Sequence, residues 1–505
     1  MLIVIRNYRI LNPLWRIQYF TFYPLRPSNF HFSGLQIRAP LFFTKNQPLS
    51  INLHLVLAQN FLNEFTIKLA FQWFSISLHG KFSSVNCPDQ GALTMQYLPQ
   101  HDPAVAELVR LEEARIEDTL DLIAAENHAP RSIFEAQGSI FSTKAAEGYP
   151  GHRFHAGCRN ADALESLANE RARQLFGADH ANLQPHSGVS ANLAVYFSVL
   201  NPGDRILSMK LSHGGHLSHG DPSSITSKCF NFQHYGLDPK TERIDYDQVR
   251  AQALDYKPQM IIAGASSYPR LIDYEKMEQI ASRVSAYLLV DMAHIAGLVA
   301  AGVIPGPVAH ADFVTFTTYK TLQGGRGGVI LCRQEHAKKI SRTIFPGAQG
   351  TPSLNLLAAK AVCFKLALEP VFKALQTKTR DNACALSAGF EQKGYRIVTG
   401  GTDNHLILVD LRSKGLTGDV AEKALESVGI IVNRNVIPGD PARPDVTSGI
   451  RVGAPGITSR GMGPDEVSQI VGLMDTAMIN TENGDILDQV SRGVADLCRK
   501  FPVYP

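Results

Sequence analysis

The chain has 505 residues, of which 44% are hydrophobic and 19% charged, with 49 Lys and Arg against 46 Asp and Glu. That length predicts at least two domains around a large core, and the composition excludes a disordered chain. A net charge of +3 gives no reason to expect nucleic acid or a membrane surface as a partner, and seven widely spaced cysteines without a CxxC pair point to a reducing, cytoplasmic setting rather than a disulfide framework.

Residues 1–94 differ in composition from the rest. They hold eight basic and two acidic residues, leaving 41 basic and 44 acidic residues for the remainder. Both tryptophans, Trp15 and Trp73, lie there, and neither a helical nor a strand period is sustained. Arg6, Arg9, Arg16 and Arg26 interrupt the apolar runs, so none reaches the roughly 18–20 residues that span a bilayer. The segment lacks the order of a secretory signal and is more aromatic than a transit peptide. The expectation is a poorly structured extension upstream of a working protein that starts at Met95.

From Ala104 to Leu122 the apolar spacing i, i+3, i+4 predicts an amphipathic helix with surface Glu/Arg pairs. Residues 163–178 read as a second helix that stops at a glycine. Short apolar runs follow at 204–209, 259–265, 286–291, 312–318 and 327–332, several of them separated by helical patterns such as 274–285. Such alternation predicts an α/β fold with a mostly parallel sheet, whose functional residues gather at the carboxyl ends of the strands. A long helical run over 352–369 leads to strands at 395–400 and 405–411. The expected domains are a helical arm (95–125), a large domain (126–369) and a smaller C-terminal α+β domain (370–505).

Three strand ends carry chemistry-bearing residues. The run 286–291 finishes in Asp291, followed by His294. A carboxylate that ends a buried strand needs a cationic or N–H partner; a helix cap is the plainer role. The run 312–318 leads into Tyr319, Lys320 and the glycine-rich TLQGGRGG (321–328). A lysine there becomes a nucleophilic amine when desolvated, although taken alone it reads as a surface lysine. The glycines follow the lysine, so this is not a P-loop, and a tight turn is their simplest use. His213, His216 and His219 have a spacing that hints at metal, but without helical pairing no metal site is expected, and ring stacking or loop packing fits better. An acid at one strand end and an amine at a later one suit a pyridine-aldehyde cofactor: the acid keeps the ring nitrogen protonated and the amine holds the aldehyde. Residues 186–188 (HSG), opening a helix, are a candidate phosphate cradle.

These motifs together resemble the serine hydroxymethyltransferase family, pyridoxal-phosphate enzymes of fold type I. The resemblance runs over about 95–505 and includes LIAAEN (122–127), AEGYPGHRF (146–154), QPHSG (184–188), HGGHLSHG (213–220), VDMAHIAGLVAAGV (290–303), TTYKTLQGGRGG (317–328), FPGAQG (345–350), GGTDNHLILVDL (400–411), TSGIRVGAP (447–455) and FPVYP (501–505). By that resemblance Lys320 is the Schiff-base lysine, Asp291 the partner of the pyridine nitrogen and His216 the residue stacked on the ring. His294 would lie near the ring hydroxyl. Ser187, Gly188 and Thr317 resemble phosphate-side residues and Ser266 a cofactor contact, while Gln349 and Gly350 would reach the neighbouring subunit's cofactor. Arg451 resembles the arginine that grips the amino-acid carboxylate, a task suited to a planar fork. Glu147 resembles a carboxylate that handles the substrate hydroxymethyl proton from the partner subunit. Leu211, Gly215, Leu217 and Asn435 fall where the family contacts tetrahydrofolate. The implied reaction is reversible transfer of a one-carbon unit between serine and tetrahydrofolate, in at least a homodimer and at most a tetramer.

Some positions depart from the family pattern. Ala125 replaces a serine beside the substrate, Ala145 a tyrosine near the phosphate, and His155 a tyrosine near the imine. Val189 takes a serine position with Ser190 beside it, Tyr319 precedes the lysine where histidine is usual, Thr351 replaces a glycine, and Asp445 replaces an aromatic residue near folate. Each hydroxyl lost from a polar site costs on the order of 1–3 kcal/mol if its partner stays unpaired. The freed space also admits a substituent on Cα, so a 2-methylserine hydroxymethyltransferase or a folate-independent aldolase is the alternative expectation. A binding relative without activity is a further one, against which the joint presence of Lys320, Asp291, His216, Glu147 and Arg451 argues.

Overall fold

A computed structural model describes residues 2–4, 21–23 and 97–504. Leu2–Val4 pairs antiparallel with Thr21–Tyr23, within a unit over residues 1–86 that is distinct from residues 87–505. The rest of the expected N-terminal extension, with its start at Met95, lies outside the described residues.

Residues 97–504 are built around a seven-stranded sheet. Its strands in chain order are β1 (His180–Asn182), β2 (Arg205–Met209), β3 (Asn231–Tyr235), β4 (Met260–Gly264), β5 (Tyr287–Asp291), β6 (Phe313–Thr317) and β7 (Gly328–Cys332). Their spatial order is β1-β7-β6-β5-β4-β2-β3. β2 to β6 run parallel, whereas β7 is antiparallel to both its neighbours. The fold is therefore α/β with a mostly parallel central sheet, as the alternating pattern predicts. The apolar runs are continuous because both faces are covered. Leu207, Ile261, Val290, Val314 and Leu331 enter one core; Ile206, Ile262, Leu289, Phe313 and Ile330 enter the other.

The helix Pro370–Gln392 opens the C-terminal region with a proline in its first turn. Beyond it lies a four-stranded antiparallel sheet, β8 (Arg396–Ile397), β9 (Leu406–Asp410), β10 (Asn433–Asn435) and β11 (Gly449–Gly453), ordered β8-β9-β11-β10. The first long helix runs Pro103–Asp118, capped by the Asp102 carboxylate, and stops short of Leu122. Leu120–Asp121 instead pairs with Ile430–Ile431, and Leu120 and Leu122 are buried in the apolar core around the four-stranded sheet. Among the described residues no helix is long and apolar enough to cross a membrane. Cys158, Cys229, Cys332, Cys363, Cys384 and Cys498 are free thiols.

Candidate active site

The carboxyl ends of β1, β4, β5 and β6 meet at one cavity. It is lined by Ser187, Gly188, His216, His219, Ser266, Asp291, His294, Thr317, Tyr319 and Lys320, among others. β5 delivers Asp291 and β6 delivers Thr317, with Lys320 three residues further on. β7 runs backwards, so its first residue, Gly328, arrives at the same end of the sheet. A side chain on Gly328 would place Cβ 2.1 Å from the Ser187 carbonyl oxygen, so the glycine permits the two segments to touch. The glycine-rich loop is more than a turn.

Asp291 is the centre of a hydrogen-bond network. Its Oδ2 accepts from Asn192 Nδ2 at 2.8 Å and lies 3.2 Å from His219 Nε2, and its Oδ1 accepts from the Ala293 backbone N–H at 3.0 Å. Burial alone would raise the Asp291 pKa, but the His219 hydrogen bond and the nearby imidazoles outweigh it and hold the carboxyl well below the usual range. Asn192 also accepts from Thr315 Oγ1 at 2.6 Å and donates to Ser218 Oγ at 3.0 Å, which lies 2.7 Å from His216 Nδ1. The Ser218 backbone N–H donates to that same His216 nitrogen, so the His216 proton sits on Nε2. Burial draws the His216 pKa down to about 4, and the ring is neutral. Only two histidines of the spaced triplet join Asp291, with ligand-type atoms within 4.8 Å of one another. His213 Nδ1 instead accepts the Leu237 backbone N–H.

Lys320 is 7% exposed, and its amine has no hydrogen-bond or ion-pair partner among the described residues. Burial lowers its pKa to about 8, with Asp291 opposing and Arg451 adding to the shift. The Lys320 carbonyl accepts from Asn127 Nδ2, which fixes the backbone beneath it. Next to it, the Tyr319 ring lies under the Arg326 guanidinium at 4.5 Å. His294 is buried, and its Nδ1 faces His405 Nε2 at 3.4 Å. His405 Nε2 also lies 3.2 Å from the Ala124 carbonyl, which can only accept. The His405 proton is therefore on Nε2, and His294 is left protonated at its own Nε2.

Arg451, on β11 of the four-stranded sheet, reaches the end of the seven-stranded one. Its Nη1 donates to the Ser266 carbonyl at 2.8 Å and its Nε to Asn433 Oδ1 at 3.0 Å. It has no carboxylate partner among the described residues, and burial lowers its pKa to about 10.

At the other side of the cavity, Ser187 caps the helix Gly188–Val199 by accepting from the Ser190 N–H, and Ser190 Oγ returns a bond to the Ser187 N–H. Beside this helix start, the Thr317 hydroxyl is buried without a partner. An added Cβ on Gly188 would come within 2.9 Å of Thr317 Cγ2. Free N–H groups at a helix start, an unpaired hydroxyl, an unpaired amine and a buried ionised acid fit pyridoxal phosphate at its phosphate, aldehyde and ring-nitrogen ends.

Other expected site residues lie apart from this cavity within the single chain. Glu147 lies 3.5 Å from His155 Nε2 and 3.4 Å from Thr351 Oγ1, next to Gly350. Gln349 donates to the Gln184 carbonyl and accepts from the His186 N–H, so its side chain braces the cradle of its own chain. Leu211 and Leu217 are exposed, Gly215 is buried, and Asn435 Nδ2 donates to the Val436 carbonyl. Sequence reading missed Asn192, Ser218, Thr315 and His405, and left His219 without a role. Asn192 and Thr315 sit in apolar runs where polar side chains signal an internal partner; His405 carries no local signal.

Residues 98–474 match the family model described as serine hydroxymethyltransferase. Members of that family are pyridoxal-phosphate-dependent transferases of fold type I, acting in hydroxymethyl transfer of the serine and glycine kind. With that match and this fold, the chain belongs to the serine hydroxymethyltransferase family.

Proposed function

We propose that the protein interconverts serine and glycine by reversible Cα–Cβ cleavage, with tetrahydrofolate as the one-carbon acceptor, in a cytoplasmic homodimer or tetramer. The observation that carries this reading is the set of unsatisfied groups at one cavity: the Lys320 amine, the Thr317 hydroxyl and, at its edge, an Arg451 without an acid. When bound, pyridoxal phosphate supplies an electron sink for a bond broken at Cα.

The chain's residues set up that chemistry. Lys320 Nζ is the attachment point, and its lowered pKa keeps a fraction of the amine unprotonated near neutrality. Asp291 would accept the ring N–H and hold that proton in place, braced by His219 and Asn192. His216 would cover a ring face, and His294 would offer its Nε2 proton to the ring hydroxyl. Ser187, Gly188 and Thr317 would hold the phosphate, Ser266 would contact the cofactor, and Gln349 and Gly350 would reach the cofactor of the neighbouring subunit. The free side of the Arg451 fork takes the substrate carboxylate. Glu147, lent with His155 by a second subunit, handles the proton of the substrate hydroxyl, and Tyr319 bounds the substrate space. Leu211, Gly215, Leu217 and Asn435 form the folate side.

A second reading is favoured by Ala125, which presents only a methyl group next to Ala124, the carbonyl that holds His405. By its place in the family pattern Ala125 would border the substrate, and the hydroxyl it lacks would leave room for a Cα substituent, hence 2-methylserine or folate-independent aldol cleavage. Steady-state assays with serine and 2-methylserine, each with and without tetrahydrofolate, separate the two. Folate-dependent serine cleavage is expected. Fast 2-methylserine cleavage without serine cleavage would replace the first reading with the second.

A further inference from the structure

Behind the cradle lies a buried cation with no place in the reaction described so far. Lys360 projects from the helix Leu354–Ala367 and is 2% exposed. Its Nζ donates to the carbonyls of Leu183 at 2.6 Å, Gly328 at 2.8 Å and Pro185 at 3.2 Å. Three acceptors match the three protons of an ammonium, whereas a neutral amine has only two to give. Burial lowers the Lys360 pKa to about 7, while the Glu165 carboxylate favours the charged form.

The three carbonyls belong to the backbone that forms the cradle floor. Leu183 to Pro185 lead directly into Ser187 and Gly188. Pro185 also accepts from the Gly328 N–H at 2.9 Å, and Gly328 pairs with Thr317 across the sheet. Gly327 lacks a side chain where a Cβ would stand 2.3 Å from Lys360 Cε. We propose that Lys360 is a positioning residue for the cofactor phosphate: its ammonium ties the segment 183–185 to the start of β7 from behind and places a positive charge beneath the anion.

This inference rests on the phosphate being held at the start of the helix Gly188–Val199, as proposed above. Exchange on the full-length holoenzyme tests it. Wild type, Lys360→Met, Lys360→Gln and Gly327→Ala are each equilibrated with mixtures of pyridoxal phosphate and pyridoxal, and the bound forms are counted by mass after borohydride reduction. The midpoint ratio reports the preference for the phosphate, which a residue serving only core stability would not move. The expected result is a strong wild-type preference that falls by about tenfold in the Met variant, with Gln, keeping two donors, between them. Gly327→Ala, which drives the amine off its carbonyls, should fall similarly. Unchanged ratios in folded variants would overturn the role of Lys360 alone. A wild type with no preference would overturn the phosphate site itself. Failure of all three variants to fold would also count against the inference, since it would assign Lys360 to the core.

Discussion

Asp291 and Lys320 divide the electrostatic work between them. Asp291 stays ionised although buried because it accepts three hydrogen bonds. Replacing it by Asn keeps the shape and removes the charge, so the ring proton loses its acceptor. Asp291→Asn should lower turnover by on the order of 10³-fold while the chain still attaches its cofactor. Steady-state kinetics beside the visible spectrum checks this; near-normal turnover would contradict it. Lys320 is shifted the other way. Its folded pKa is near 8 rather than 10.5, so the reactive free amine accumulates as pH rises through 8 and is complete above it. The rate at which cofactor-depleted protein reloads should climb with pH and level off above about 8. A climb that continues toward 10.5 would mean an ordinary exposed lysine.

At the scale of elements, the sheet aligns these residues by register. Asp291 on β5 is paired with Gly264 on β4, and a Cβ on Gly264 would stand 2.4 Å from the Asp291 carbonyl oxygen. The atom it meets is backbone, so the strands themselves must shift. Gly264→Ala should cost about 1–3 kcal/mol in stability and weaken cofactor retention, measurable by denaturant melts and by cofactor loss on dialysis; unchanged retention would count against the role of register. The same packing explains what the sequence reveals. β4, β5 and β6 are buried on both faces, so β4 and β5 show as apolar runs and β6 as one broken only by threonines, each leading to a site residue. β1, with three residues, is too short to register. β3, with the alternately half-exposed pattern Asn231–Tyr235 of an edge strand, hides among polar residues. The reversed direction of β7 is invisible locally, because strand composition carries no polarity. The helix that opens at Pro103 ends early because Leu120 and Leu122 are drawn into the core around the four-stranded sheet, a contact hundreds of residues away in sequence.

On the scale of the whole molecule, the site draws on both sheets. Arg451 reaches Ser266 from the four-stranded sheet, while Arg270 pairs with Asp403 at 2.8 Å and Arg396 with Glu242 at 2.9 Å between the two sheet regions. These ties hold the proposed substrate-binding fork at a set distance from Lys320. Motif spacing discloses both ends of this arrangement but not the ties, and it passes over Lys360, whose isolation in the apolar run LLAAKAVCF is the one trace it leaves. The proposed exchange of Glu147 between subunits has its own consequence. Lys320→Ala and Glu147→Gln subunits, each inactive alone, should regain activity when mixed and reassembled, up to about half that of wild type per reconstituted heterodimer. Absence of any recovery in verified heterodimers would place Glu147 in its own chain's site. The central claim is that Lys320 carries pyridoxal phosphate opposite Asp291. Borohydride reduction of the purified full-length protein followed by peptide mass mapping tests it most directly. The label is expected on the peptide containing Lys320; an unlabelled Lys320 peptide, or the label on another lysine such as Lys360, would contradict the account.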